Sequence, residues 1–230
     1  MRYENMIEAR FVKRPNRFIA YCDYEGTMIT AHVRNTGRCR ELLMPGVPVF
    51  LEKARDPQRK TQFSLITVVK NGRYVNIDST APNKVFYEAV KENPVFLGDG
   101  FPVTHIRPEA TFEDSRFDFC LESGAQKAYV EVKGVTLEED NIALFPDAPT
   151  ERGIKHMKGL MKARAEGHGA YIIFIVQMKN VSSFSPNIKT HPQFGEVLKE
   201  AQESGVTVLC YDCHVGKDSL TLADPVPVVL

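Results

Sequence analysis

Asp118, Glu131 and Lys133 are the residues of this chain whose types and spacing can do chemistry. Asp118 stands in Ser115-Arg116-Phe117-Asp118-Phe119-Cys120-Leu121, and the other two in Tyr129-Val130-Glu131-Val132-Lys133-Gly134. Side chains alternate faces along a strand, so Glu131 and Lys133 share one face while Val130 and Val132 share the other. Between the two segments, Glu122-Ser123-Gly124-Ala125-Gln126-Lys127 has a turn composition, which predicts a hairpin that brings Asp118 beside Glu131 and Lys133. Two carboxylates are hard oxygen ligands for Mg2+ or Mn2+, with the Val132 carbonyl as a third. A lysine beside them can position or deprotonate an attacking water, or stabilise charge developing on a phosphate. These are the groups a metal-dependent nuclease needs. A bare Glu-x-Lys triplet arises about once by chance in a chain this charged, so the weight rests on the constellation with Asp118.

Other polar residues are read against plainer alternatives. Glu88 falls within a segment, 83–93, that reads as a helix between Pro82 and Asn93-Pro94, with Val85, Phe86, Ala89 and Val90 at core spacing. It joins the acidic cluster only if its helix turns it toward the hairpin; helix faces are routinely lined with solvated glutamates. Arg152 and His156 lie four apart on a second helix, opened by Pro149-Thr150-Glu151 and stopped by Gly167 and Gly169, so they share a face that can contact phosphate or simply face solvent.

The first eighty residues carry 14 Lys+Arg against 8 Asp+Glu, and the remainder 15 against 21, although the whole chain is neutral. That stretch reads as short strands at 7–13, 18–24, 28–33, 47–53, 63–69 and 74–77, separated by turn residues such as Asn71-Gly72. Closely spaced strands predict a small barrel of the oligonucleotide-binding type. Arg14, Arg17, Asn35, Thr36 and Arg38, interleaved with Phe11, Phe18 and Tyr21, suit backbone contacts and base stacking; barrel core and ordinary surface explain the same composition. Beyond residue 80 the order is helix, hairpin, helix, strand 170–177, helix 194–204 and strand 206–211, which predicts a mixed sheet with a parallel portion and right-handed crossovers. The expected architecture is thus α/β (α+β overall), with a barrel over residues 1–80 and a mixed-sheet domain over 81–230.

Five scattered cysteines lack the spacing of a disulfide framework, and neither a signal peptide nor a membrane-length apolar run is present, which points to the cytoplasm and no membrane partner. Cys210-Tyr211-Asp212-Cys213-His214 has the spacing of haem attachment, but it continues an apolar strand and no second cysteine pair completes a zinc site.

Several stretches in order resemble the sugar fermentation stimulation protein A family: Asn35-Thr36-Gly37-Arg38, Ser115 to Phe119, Val130 to Leu137, Phe145-Pro146-Asp147-Ala148, Thr150 to His156 and Phe184-Ser185-Pro186. The resemblance spans essentially the whole chain. It implies an N-terminal OB-fold-like barrel, a domain similar to the PD-(D/E)xK nuclease superfamily, and DNA binding without strong sequence preference. It also implies a catalytic set of Asp118, Glu131 and Lys133, with Glu88 at the superfamily's first-helix acidic position. The acidic residue is set in Phe-Asp-Phe where the superfamily has Pro-Asp. The family name carries a link to sugar, especially maltose, metabolism, for which no residue here offers a sugar-binding rationale. The expected partner is nucleic acid, DNA ahead of RNA, with Mg2+ or Mn2+ as cofactor; the rival expectation is a DNA-binding regulator without turnover. No helix-turn-helix pattern supports sequence-specific readout.

Overall fold

A computed structural model describes residues 1–35, 37–97 and 101–230. Six strands come first: β1 (Met6–Asn16), β2 (Ile19–Tyr24), β3 (Thr27–Val33), β4 (Pro48–Lys53), β5 (Phe63–Lys70) and β6 (Arg73–Asn76). Their order is β3-β2-β1-β4-β5-β6, and β3 also pairs with β5 in parallel, which closes the first five into a barrel of oligonucleotide-binding topology. Closure removes the free edges, and alternate side chains such as Ala20 and Cys22 on β2 fill the interior. The β5–β6 turn is made by Asn71 and Gly72, both at positive φ (50° and 76°), as a tight hairpin requires.

The chain then enters α1 (Ala81–Glu92), with Pro82 in its first turn and Val85, Phe86 and Val90 on its buried face. Next come β7 (His105–Phe112), β8 (Ser115–Ser123), β9 (Gln126–Val135), β10 (Leu137–Glu139), β11 (Ile142–Phe145), α2 (Glu151–Ala165), β12 (Gly169–Val176), β13 (Ser183–Pro186), α3 (Pro192–Glu203), β14 (Thr207–Val215) and β15 (Leu220–Pro225). The large sheet has the order β15-β14-β12-β9-β8-β7, parallel at β9–β12–β14 and antiparallel elsewhere. This is the mixed sheet expected from the element order. Pro108 is tolerated in β7 because β7 is an edge. β10, β11 and β13 form a separate small sheet.

Apolar residues cover both faces of the large sheet. On one, Val130, Val132, Ile173 and Ile175 pack with Val85 and Phe86 of α1. On the other, Tyr129, Ile172 and Phe174 join Met157, Leu160 and Leu198 of α2 and α3, in a core that continues into the barrel interior. The two modules therefore share one hydrophobic core. Residues 1–3 also cross over: Arg2 bridges to Ser219, and the Tyr3 N–H donates to the Asp218 carbonyl.

All five cysteines are free and buried. Cys210 and Cys213 sit in cores on opposite faces of the sheet, so they cannot share a metal. Among the described residues no helix is long and apolar enough to cross a membrane.

Candidate functional site

Glu131 and Lys133 lie on the face of β9 covered by α2. The parallel register with β12 sets Glu131 opposite Ile172 and Lys133 opposite Phe174, which fixes their depth in the sheet. Glu131 is 2% exposed. Its Oε1 accepts from the Lys133 ammonium and from Nδ1 of His156, a buried residue of α2. Arg152 Nε donates to the other ring nitrogen of His156 at 3.4 Å, which leaves Nδ1 to carry the proton that Glu131 receives. Oε2 of Glu131 is buried and has no hydrogen-bond partner. Burial alone would push this carboxyl up; the hydrogen bond from His156 and the charge of Lys133 outweigh it and hold the carboxyl below its ordinary range.

Asp118 reaches the site by a break in the strand pattern. Phe117 and Phe119 flank it, and regular alternation would put both rings on one face; instead Phe117 sits in the α2-side core and Phe119 in the α1-side core. The β7–β8 ladder skips the Glu109–Asp118 pair, and Glu109 has φ 54°. The β8–β9 ladder runs from the turn only as far as Phe119–Val130. Where β8 parts from β9, the Asp118 carboxylate takes over the role of the missing backbone acceptor: Oδ2 accepts from the Val132 N–H at 2.8 Å, and Oδ1 from Asn83 Nδ2 of α1 at 2.8 Å. Burial first, and then the neighbouring Glu131 charge, push the Asp118 carboxyl above its ordinary range.

Asp118, Glu131 and Lys133 are thus brought together. Glu88 is not. It lies five residues past Asn83, about 140° around the helix. Its Oε2 pairs with the Met1 amine at 2.7 Å, and that amine also donates to the Leu220 carbonyl of β15, at the opposite edge of the sheet from β7. The helix contributes Asn83 instead, which composition gave no reason to single out. His156 also departs from expectation: buried, with both ring nitrogens engaged, it holds Glu131 rather than standing free for a phosphate, whereas Arg152 is exposed.

Glu131 and Asp118 are the carboxylates able to hold a cation, and the unpartnered Glu131 oxygen is the position that would gain most from one. Residue N–H and C=O groups point to the same edge of a strand, so the Val132 carbonyl lies on the Asp118 side of β9. Such hard oxygen donors suit Mg2+ or Mn2+ with waters completing the shell. Among the described residues, no group of three His, Cys, Asp or Glu side chains converges as a metal site.

On the barrel, Arg14 is committed internally. Its guanidinium donates to the carbonyls of Gly37 and Arg38 at 2.8 Å and of Arg17 and Asn35 at 2.7 Å, so it builds the loop rather than projecting from it. Asn35 likewise ties the loop, donating to the Ile77 carbonyl and accepting from the Gly37 N–H. The Arg38 N–H donates to Asp147 beyond β11, and a Cβ on Gly37 would lie 2.2 Å from the same carboxylate, which explains the glycine. Thr36 lies outside the described residues. A groove of about 820 Å³ is lined by Lys13, Arg14, Arg17, Arg38 and Arg40, with no carboxylate among its described lining residues, and reaches Ala148 and Pro149 just before α2. A smaller cavity of about 140 Å³ shares Gly37 with the groove and is lined also by Asp147, Gly134 and Gln177.

A closed OB-like barrel that leads into a mixed α/β sheet, with a lysine and two carboxylates at one strand junction, defines a two-module class of protein, and comparison with known sequences places the chain within it. The family model for the sugar fermentation stimulation protein RE domain matches residues 80–219, and that for the SfsA N-terminal OB domain matches residues 12–77. The chain belongs to the sugar fermentation stimulation protein family. It is 52% identical to the "Sugar fermentation stimulation protein homolog" of Desulfitobacterium hafniense (strain DSM 10664 / DCB-2), over all of this chain and 99% of that one. With the homolog from Clostridium beijerinckii (strain ATCC 51743 / NCIMB 8052) the identity is 50%, over the full length of both. Among solved structures, that of Pyrococcus furiosus SfsA in complex with Ca2+ is 28% identical and superposes with a TM-score of 0.89, covering 100% of this chain and 98% of that one.

Proposed function

We propose that this chain binds DNA with little sequence preference and cleaves its phosphodiester backbone in a divalent-metal-dependent reaction, in the cytoplasm. The observation that carries the catalytic reading is the Glu131 carboxylate: one oxygen is fixed by Lys133 and His156, while the other is buried and unpartnered beside Asp118. In this reading Asp118, Glu131 and the Val132 carbonyl hold Mg2+ or Mn2+. When bound, the ion makes a coordinated water more acidic and offsets charge on the phosphate. Lys133, charged beside Glu131, holds the attacking water and offsets charge on the phosphate, and His156, steadied by Arg152, keeps Glu131 in place. The carboxylate-free groove receives the phosphate backbone. The calcium complex of the Pyrococcus furiosus relative supports a hard, oxygen-seeking cation in this family. Five free, buried cysteines suit a reducing compartment.

Incubation of the purified protein with single-stranded DNA, duplex DNA and structured RNA, with and without Mg2+ or Mn2+, tests this. Metal-dependent cleavage is expected, with Lys133→Ala slowing it by about 10²–10³-fold, the range for removal of one donor that stabilises the transition state. Binding to all three polymers without cleavage of any would refute the enzyme. It would favour a second reading, a non-catalytic DNA-binding regulator linked to sugar metabolism. One observation favours that rival: both Asp118 oxygens already have protein donors, so that carboxylate is satisfied without an ion.

A further inference from the structure

The barrel sorts its aromatic residues by burial. Phe11 is buried in the core, whereas Phe18 is 52% exposed at the tip of the β1–β2 hairpin. The tip needs no phenylalanine for its shape, because Asn16 Oδ1 sets the turn by accepting from the backbone N–H groups of Phe18 and Ile19 at 2.9 and 3.1 Å. The ring is nevertheless placed. The Arg17 guanidinium lies over it, 5.9 Å from its centroid, and Arg17 lines the basic groove, so the ring stands at the groove's lip. A second pair repeats the pattern on the same hairpin: Lys13, also in the groove, lies over the half-buried Tyr21 ring at 5.6 Å.

Cations set against rings, with the Phe18 ring half exposed, match a polymer that alternates phosphates with flat bases. A duplex offers its phosphates to such a surface but keeps its base faces stacked, so an exposed ring gains only from a base that is already unpaired. We infer that the lip of this groove is a single-strand site: Phe18 stacks on an unpaired base while Lys13, Arg17, Arg38 and Arg40 hold the flanking phosphates. The preferred substrate is then DNA that carries a single-stranded stretch or end. This rests on the DNA-binding reading above and narrows its substrate class.

The test uses the full-length protein without divalent metal, so that cleavage plays no part, and fluorescence anisotropy with labelled single-stranded and duplex oligonucleotides of one sequence. Phe18→Ala should weaken single-strand binding about tenfold while duplex binding stays within about twofold, and Phe18→Trp should restore it. The salt dependence of single-strand binding should not change, because no cation is removed. Equal losses on both polymers, or an unchanged single-strand affinity, overturn the inference. Failure of the unmutated protein to bind either polymer instead sinks the DNA-binding reading itself.

Discussion

Asp118 shows how one residue can be both a structural cap and a site ligand. Its carboxylate sits where β8 separates from β9, accepting the Val132 N–H that would otherwise be left over at the end of the ladder. Asn83 fixes the other oxygen and so ties the first turn of α1 to the site. Burial and the Glu131 charge raise the Asp118 carboxyl, and the two hydrogen-bond donors act against that rise. Asn83→Ala should therefore destabilise the fold by about 1.5–3 kcal/mol, the scale of a hydrogen bond to a charged acceptor, measured by urea denaturation. It should also weaken divalent-ion binding, measured by titration calorimetry. Unchanged stability would mean that the Asn83–Asp118 bond is replaced by water at no cost. The same residues mark the limit of sequence reasoning. Hairpin composition paired the Asp118 segment with the Glu131 segment, but it carried no sign of the break at Asp118, which lies opposite the left-handed Glu109 of a neighbouring strand and sends Phe117 and Phe119 to different faces.

At the scale of elements, the modules are fastened by polar links as well as by the shared core. Lys70 of β5 and Arg73 of β6 both reach Glu138 of β10, at 2.9 and 2.6 Å, and the Asn141 N–H caps its other oxygen at 2.7 Å. Burial would raise the Glu138 carboxyl, but Lys70, the Asn141 N–H and Arg73 together hold it below its usual 4.5. A depressed carboxyl contributes stability that is complete above the unfolded-state value and is lost as pH falls through the folded-state value. The stability advantage of the native protein over Glu138→Gln should thus be about 2 kcal/mol at neutral pH and shrink as pH falls below about 4.5, measured by chemical denaturation across pH. A pH-independent difference would show that Glu138 acts through packing alone. The legible elements were those with local signals: Pro82 and Asn93-Pro94 bracket α1, and the apolar run of β12 marks a buried strand, whereas α3 starts at Pro192, two residues ahead of its expected start. β10, β11 and β13 are three or four residues long and gain their stability from partners distant in sequence, so no local pattern announces them. The position of Glu88, paired with the Met1 amine away from Asp118, was hidden for the same reason: which face of α1 meets β8 is decided by packing, with Tyr87 lying beside Phe119 at 6.4 Å.

At the scale of the molecule, a net charge of zero conceals a division of labour. The basic excess of the first eighty residues is concentrated by folding into one groove, and field lines from several cations in a concave surface add where a polyanion would lie. The cations differ in kind. Arg14 spends its guanidinium on four loop carbonyls, while Arg38 and Arg40 are exposed and Arg38 engages Asp147 only through its backbone N–H. Loss of Arg14 should therefore lower the melting temperature by loosening the loop, and loss of Arg38 and Arg40 should leave it in place. If the groove carries phosphates, each contact releases counterions, and log K against log salt falls by about 0.9 per phosphate neutralised on duplex DNA. Arg38→Ala combined with Arg40→Ala should flatten that slope by about 1.8 with an unchanged melting temperature, read from anisotropy titrations at several salt concentrations. A slope that ignores the double substitution would move the DNA-binding surface off this groove.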